Sequence, residues 1–100
     1  MKIPTDFDAS VYELVAQIPR GRAVSYKQLA VLLGFPDHAR RVGRALATAP
    51  AGLPCHRVVT SSGRTVPGWA AQRDLLEREG VAFRPNGTVD MARSGWEALR

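Results

Sequence analysis

Residues 25–49 read SYKQLAVLLGFPDHARRVGRALATA, and this stretch decides the fold. Ser25 and Gln28 have the spacing of a capping box, in which the serine hydroxyl accepts an amide hydrogen bond and the glutamine reaches back to the start of the helix. A short helix is therefore predicted from about Tyr26. Gly34 ends it, because glycine readily adopts the left-handed backbone found after many helices.

A further helix is predicted from about His38 to Ala49, with Asp37 as its N-terminal cap. Only a tight turn containing glycine separates it from the helix before it. Two short helices joined in this way are typical of a helix-turn-helix. The fold class expected from the sequence is therefore mostly α with small β-hairpins, in a winged-helix-like arrangement.

The second helix of this unit has two unlike faces. Arg40 and Arg44 share one face, flanked by Arg41 and Gly43, and at 100° per residue the other face is apolar. A basic face with little bulk favours close approach to a nucleic-acid backbone or minor groove over reading base edges in the major groove. The alternative is a basic face that is simply solvated.

The charge balance points to the same class of partner. The 100 residues carry 14 Lys and Arg against 9 Asp and Glu, a formal net charge of +5. Lys2 and Lys27 are the only lysines, so the excess is arginine, and Arg20 and Arg22 lie on the turn after the first helix. The planar guanidinium bonds two phosphate oxygens at once, which favours a nucleic acid over an acidic protein or a membrane surface.

The rest of the chain alternates helices with short strands. The first helix is predicted to start at Asp6 or Asp8 and to run to about Ile18, where Pro19 and Gly21 break it. A hairpin is predicted to pair residues 58–60 with 64–66. The remaining elements expected are a helix over residues 69–79, a hairpin pairing residues 81–83 with 88–89 across an Asn-Gly turn, and Trp96 packed on the core.

Pro54-Cys55-His56-Arg57-Val58-Val59 holds the only cysteine. The thiol of Cys55 is either a small buried hydrophobe, a surface liability or a nucleophile. A nucleophilic thiol needs a base or a positive charge nearby, because the thiolate is the reactive form, and His56 and Arg57 supply both. If the segment is extended, Cys55 and His56 point to opposite sides, so a water or a bend at Pro54 would have to connect them.

A base of this kind also needs a carboxylate on the other nitrogen of its ring, to set the tautomer and raise the basicity. Asp74, Glu77 and Glu79 all follow the cysteine motif within one predicted helix. The residues alone do not choose among these three acids.

The cysteine motif resembles the active-site motif of the O6-alkylguanine-DNA alkyltransferases. The similarity extends over about residues 11–83, as the family's DNA-binding domain, and covers residues 21–26, 39–46, 62–63 and 75–80 in the same order. The resemblance implies duplex DNA containing O6-alkylguanine as the partner, with flipping of the damaged nucleotide out of the helix.

The resemblance also implies roles for individual residues. Cys55 would be the alkyl acceptor, His56 the water-mediated base and Glu79 the carboxylate that orients His56. Tyr26 would rotate the target phosphate, and Arg40 would fill the gap left in the duplex. The residues expected to contact DNA are Arg22, Ser25, Tyr26, Arg40, Arg41, Gly43, Arg44 and Arg57.

Three features depart from the transferases. Ala49 replaces a usual asparagine, with a shorter link to Pro54, and residues 63–68 lack the usual Tyr-Ser-Gly-Gly type of loop. The third departure is a resemblance to the alkyltransferase-like proteins, which bind O6-alkylguanine without repairing it. Gln72-Arg73, Leu76-Glu77, Gly80-Val81 and the tryptophan-containing tail carry it.

Three hypotheses follow. The first is a single-turnover methylated-DNA–protein-cysteine S-methyltransferase that uses Cys55, and retention of Cys55, His56 and Glu79 favours it. The second is a non-catalytic lesion sensor that hands the damage to other DNA repair proteins, favoured by Ala49 and the altered loop. The third is a helix-turn-helix regulator with Cys55 as a redox sensor.

Length, composition and the resemblance together set the remaining expectations. We expect one alkyltransferase-type DNA-binding domain over residues 1–100, acting as a monomer in the cytoplasm and not at a membrane. We expect no cofactor and no metal, because two histidines and one cysteine do not form a zinc pattern.

Overall fold

The computed structural model describes residues 6–97, and the predicted mostly helical class is confirmed. The elements, in chain order, are α1 (Asp6–Ala16), β1 (Val24–Ser25), α2 (Tyr26–Leu32), α3 (Ala39–Ala47), a 3₁₀ turn (Cys55–Arg57), β2 (Val58–Val59), α4 (Ala71–Arg78) and α5 (Met91–Ser94). Within the described residues, no helix has both the length and the apolar character to cross a bilayer.

The start of α2 shows one half of the predicted capping box. The Ser25 hydroxyl accepts a hydrogen bond from the Gln28 amide at 3.0 Å, as expected. The prediction that the Gln28 side chain bonds back to the start of the helix is wrong, because this side chain donates to the Trp96 carbonyl at 3.0 Å. The helix ends before Gly34, whose φ of +88° is the left-handed conformation that favours glycine.

The next helix, α3, is shorter than predicted and capped differently. His38 is its N-cap and makes no side-chain capping bond, so the prediction of Asp37 as the cap is wrong. Its two faces are as expected, with Val42 and Ala45 buried and the Arg40 and Arg44 side chains exposed. The helix ends at Ala47, short of the predicted end at Ala49.

The predicted hairpin of residues 58–60 with 64–66 is wrong. β2 pairs in parallel with β1, with Val24 opposite Val58 and Ser25 opposite Val59. Residues 60–64 form a tight turn instead, closed by the Thr60 amide donating to the Arg64 carbonyl at 3.0 Å. Both strands are buried, and each supplies backbone hydrogen-bond partners to the other. The two strands are far apart in sequence, so no local pattern predicts that they pair.

The two-stranded sheet separates two hydrophobic clusters. Val24 and Val58 face the larger cluster, which lies among α1, α2 and α3. Ala23 and Val59 face the smaller one, together with Leu76 of α4. This alternation follows from the period of two in extended backbone, and it joins the helix-turn-helix to the C-terminal part of the chain.

The C-terminal elements are shorter than predicted. α4 spans Ala71–Arg78, within the expected residues 69–79, and the last hairpin is reduced to one antiparallel bridge between Phe83 and Val89. The sequence did not predict α5. Trp96 packs against the core as predicted, with its amide donating to the Ala23 carbonyl at 2.8 Å.

Two predictions about the chain before the sheet also need correction. α1 ends at Ala16, two residues before Ile18, although the Ile18 side chain is still buried. The chain around Cys55 is not extended, because Cys55–Arg57 forms a 3₁₀ turn directly before β2. The bend after Pro54 that the sequence left open is therefore present.

Candidate nucleic-acid interface and cysteine site

A groove of about 490 Å³ runs along the exposed face of α3. The start of α2 and the turn after β2 supply its other walls. Its lining residues are Tyr26, Lys27, Ala39, Arg40, Gly43, Arg44, Ala47, Thr60 and Ser61. Lys27, Arg40 and Arg44 contribute to its lining, whose accessible surface is nearly all apolar. Its floor on α3 is made of small residues, as the sequence predicted for close approach to a nucleic acid. Lys27, Thr60 and Ser61 were not predicted as site residues.

Tyr26 is placed in this groove by the Ser25 cap, because it is the first residue of α2. Its ring lies against Gly43, where a Cβ atom would be 3.9 Å from the Tyr26 Cε1 atom. Burial raises the pKa of the Tyr26 hydroxyl, and the nearby Cys55 thiol raises it further. Tyr26 is thus a protonated hydrogen-bond donor at neutral pH, close to the cysteine.

The predicted DNA-contacting arginines fall into two groups. Arg40 and Arg44 are exposed and line the groove. Arg41 lies elsewhere, with its guanidinium carbon 4.6 Å from the centroid of the Phe7 ring. Arg22 donates from Nη1 to the Arg93 carbonyl at 2.8 Å, so it connects the turn after α1 to the C-terminal part of the chain. Of these four predicted arginines, Arg40 and Arg44 line the groove with Tyr26, whereas Arg22 and Arg41 make contacts elsewhere.

Cys55 is the first residue of the 3₁₀ turn and is half-buried. Burial raises the pKa of its thiol, and a hydrogen bond from its own backbone amide opposes the rise without cancelling it. A thiol with a raised pKa is protonated near neutral pH. The free protein therefore lacks the preformed thiolate that a strongly activated nucleophile would have.

His56 and Glu79 meet across the space between the 3₁₀ turn and the end of α4. The His56 Nε2 atom lies 3.0 Å from the Glu79 Oε2 atom, and both side chains are largely buried. The other two acids left open by the sequence are placed differently, since Glu77 pairs with Arg73 at 3.5 Å and Asp74 is exposed. The geometry thus selects Glu79 as the partner of His56.

Arg57 shares this carboxylate. Its Nε atom donates to Glu79 Oε1 at 2.8 Å and its Nη2 atom to Oε2 at 2.6 Å, while Nη1 donates to the Ile18 carbonyl at 2.7 Å. The hydrogen bonds from Arg57 hold the pKa of Glu79 down at about 2, with His56 contributing less. Arg57 was predicted to contact DNA, but its guanidinium is used inside the protein.

Gln72 of α4 hydrogen-bonds the backbone of the 3₁₀ turn and of β2. Its side chain is fully buried, and Nε2 donates to the His56 carbonyl at 3.0 Å and to the Val58 carbonyl at 2.9 Å. Its Oε1 atom accepts from the Val66 amide at 2.6 Å. Sequence reasoning did not assign this role. Its position four residues before Leu76, on the inward face of α4, was the available signal.

No group of three potential metal-ligating side chains gathers anywhere in residues 6–97. The described residues present three chemical features: a groove lined by Tyr26, Arg40 and Arg44, a half-buried thiol at Cys55, and a histidine held by a carboxylate.

Comparisons with known proteins agree with this geometry. Residues 6–81 match the family model described as 6-O-methylguanine DNA methyltransferase, DNA binding domain. The chain is 39% identical over 101 residues to a DNA base-flipping protein of Escherichia coli, a match that covers 96% of this chain and 78% of that protein.

Solved structures show the same similarity. Schizosaccharomyces pombe Atl1 in complex with damaged DNA containing O6-carboxymethylguanine superposes with a TM-score of 0.81 at 31% identity, covering 95% of this chain and 99% of that one. The O6-methylguanine methyltransferase of Mycobacterium tuberculosis gives 0.67 at 39% identity, covering 77% of this chain and 50% of that one. From the extent of these matches, the chain belongs to the O6-alkylguanine-DNA alkyltransferase family, through its DNA-binding domain, and is close to the alkyltransferase-like proteins.

Proposed function

We propose that this protein binds duplex DNA containing O6-alkylguanine and flips the damaged nucleotide out of the helix. The observation that carries the proposal is that Tyr26, Arg40 and Arg44 line one groove on the exposed face of α3. A relative named a DNA base-flipping protein and an Atl1 structure with damaged DNA support it. A role on DNA also agrees with the cytoplasmic location that we propose from the sequence.

Each part of the groove has a physical task in this function. The exposed guanidinium groups of Arg40 and Arg44 suit phosphate or an unpaired base, because they are planar, charged and able to stack. The small residues Ala39, Gly43 and Ala47 let the DNA approach the backbone of α3 closely. We infer that Arg40 enters the gap left by the flipped nucleotide and that Tyr26 acts on the neighbouring phosphate.

The test of binding and flipping is a titration with matched duplexes. One duplex contains O6-methylguanine and the other guanine, and a fluorescent base analogue opposite the lesion reports unstacking. We expect tighter binding to the lesion duplex and a fluorescence rise that Tyr26→Ala weakens. Equal affinity for the two duplexes would reject the proposal.

Alkyl transfer to Cys55 is the second candidate function, and the 3.0 Å contact between His56 and Glu79 favours it. In this reaction the sulfur would attack the alkyl carbon and form a C–S bond while the C–O6 bond breaks. The electron pair of that bond would stay on the guanine, which would leave as an anion. His56 would take the thiol proton through a water, and a proton passed on through water would then convert the anion to neutral guanine.

The competing role is a non-catalytic sensor that hands the lesion to other repair proteins. The raised pKa of Cys55 and the presence of Ala49 favour it. Intact-mass measurement after incubation with the lesion duplex separates the two. Addition of one methyl group to the wild type, absent in Cys55→Ala, would establish transfer, whereas lesion binding without any added mass would establish the sensor.

A further inference from the structure

A second cleft of about 360 Å³ lies next to the groove. Its lining residues are Ser61, Ser62, Arg64, Arg84, Asn86, Thr88, Val89 and Met91. Ser61 lines both the groove and this cleft, so the two share a wall. Arg64 and Arg84 take no part in the lesion-binding groove.

Each of these arginines sits on a tight turn. In the first turn, residues 60–64, the Arg64 amide donates to the Thr60 hydroxyl at 3.0 Å and the Thr60 amide donates back to the Arg64 carbonyl at 3.0 Å. In the second turn, residues 84–88, the Arg84 amide donates to the Thr88 carbonyl at 2.8 Å. The backbone under each arginine is therefore held by its own hydrogen bonds.

The two turns are also fixed to each other. The Val89 amide donates to the Gly63 carbonyl at 2.8 Å. Gly63 has a φ of +82°, and a Cβ there would lie only 2.8 Å from the Val89 carbonyl oxygen, so only glycine allows this approach. The cleft between the turns is consequently formed before any ligand binds.

The cleft has the chemistry of an anion site. Arg64 and Arg84 are exposed and the lining hydroxyl and amide groups are neutral. Among the described residues, no carboxylate lines the cleft. Arg84 lies 3.9 Å from Asp90 and is 55% exposed, and an exposed pair of that length holds a guanidinium only weakly.

We propose that the Arg64–Arg84 cleft is a second phosphate site, which holds the DNA backbone where it leaves the groove. The inference rests on the proposed function, because it takes the groove as the place where DNA binds. Its basis is the shared Ser61 wall, which places the cleft directly beside the groove, together with two arginines on turns fixed to each other. Phosphate contacts of this kind position the duplex and carry no base information.

The experiment compares the cleft variant, Arg64→Ala/Arg84→Ala, with a control variant, Arg78→Ala/Arg93→Ala. The control also loses two positive charges, but from residues that line neither the groove nor the cleft. Affinity for lesion and unmodified duplexes is measured over a range of salt concentrations. We expect the cleft variant to bind about tenfold or more weakly at low salt and to have a log–log salt slope shallower by about 1 to 2. Its preference for the lesion should stay that of the wild type.

Duplex length gives a second readout. Shortening the duplex from one end should remove the difference between the cleft variant and the wild type once the end no longer reaches the cleft. Thermal unfolding checks that both double variants are folded, and Arg64→Gln/Arg84→Gln replaces the alanine pair if they are not. An unchanged affinity and salt slope in a folded cleft variant would overturn the inference, even if lesion preference persists and the proposed function stands.

If the wild type shows no lesion preference, the proposed function fails, but the salt slopes on unmodified duplex still test the cleft. A slope equal to that of the Arg78→Ala/Arg93→Ala control would reject the phosphate site in that case too.

Discussion

The Arg57 guanidinium holds both carboxylate oxygens of Glu79, with Nε 2.8 Å from Oε1 and Nη2 2.6 Å from Oε2. The side chains are only 15% and 7% exposed, so this is a shielded two-point contact. It joins the cysteine turn to the end of α4, and it leaves His56 to share Oε2 with Arg57. The ion pair thus fixes the position of the Cys55–Arg57 turn relative to α4 and also lowers the pKa of Glu79.

Removing Arg57 should therefore destabilise the protein. Loss of one partner of a buried pair leaves the other charge unpaired, at a cost of about 3–5 kcal/mol when both are fully buried. We expect Arg57→Ala to lower the free energy of unfolding by about 2 to 3 kcal/mol, since some exposure remains. Urea denaturation measures it. Glu77→Ala, which removes the exposed pair with Arg73, is the control and should cost under about 0.5 kcal/mol.

The low pKa of Glu79 predicts how stability depends on pH. The carboxyl titrates at about 2 in the folded protein and near its ordinary 4.5 when unfolded. Because the folded pKa is lower, this stabilisation is complete above the unfolded value and is lost as the pH falls from about 5 towards about 2. Denaturation across that range should show a steeper loss in the wild type than in Glu79→Gln. Parallel pH profiles for the two proteins would contradict this assignment.

The burial of Cys55 opposes the activation that its neighbours in the sequence could provide. A base and a positive charge beside a thiol suggest faster reaction than free cysteine, but burial raises the pKa of this thiol. We expect iodoacetamide to alkylate Cys55 several-fold more slowly than free cysteine at neutral pH. The rate should rise as the pH is raised above neutral, because more of the thiol is then ionised. His56→Ala should change this rate little. A rate above that of free cysteine, lost in His56→Ala, would instead support an activated nucleophile and alkyl transfer.

Gly43 lies against the ring of Tyr26 at ordinary contact distance, which leaves room for one methyl group. Gly43→Ala should raise the free energy of unfolding by about 0.5–1 kcal/mol, because alanine is the better helix former, and should keep DNA binding. Gly43→Leu should remain folded but weaken binding to the lesion duplex, because the larger side chain displaces the Tyr26 ring and fills part of the groove. Thermal unfolding and DNA titration together check both variants. Unchanged binding in Gly43→Leu would argue against a fixed position of Tyr26 in recognition.

Arg40 and Arg44 line the same groove but are predicted to do different things. If Arg40 fills the gap left by the flipped nucleotide, Arg40→Ala should weaken binding to the lesion duplex more than to single-stranded DNA, where no gap forms. Arg44→Ala serves as the control and should weaken lesion and unmodified duplexes equally, as a phosphate contact does. Competition titrations with the three DNAs measure the ratios. Equal losses on duplex and single strand in Arg40→Ala would count against the gap-filling role.

Local pattern by itself determined the helix-turn-helix and the basic face of α3. The end of α2 before Gly34 and the 3.6-residue period of the apolar positions in α3 each depend on residues that are close in sequence. Helical hydrogen bonds act over the same short range, so local sequence predicts these features. The same reasoning placed Trp96 on the core and identified the cysteine motif. Composition predicted a nucleic-acid partner because arginine excess is a property of the whole chain.

Only the tertiary structure decided which residues meet over long separations. β2 pairs with β1 and not with the residues after it, since buried strands take whichever partner the core brings beside them. Glu79, and not Glu77 or Asp74, reaches His56 because α4 ends there, and Arg57 is drawn inward to that carboxylate instead of facing solvent. The degree to which Cys55 is buried, which sets its protonation, is likewise a result of packing that no hexapeptide determines.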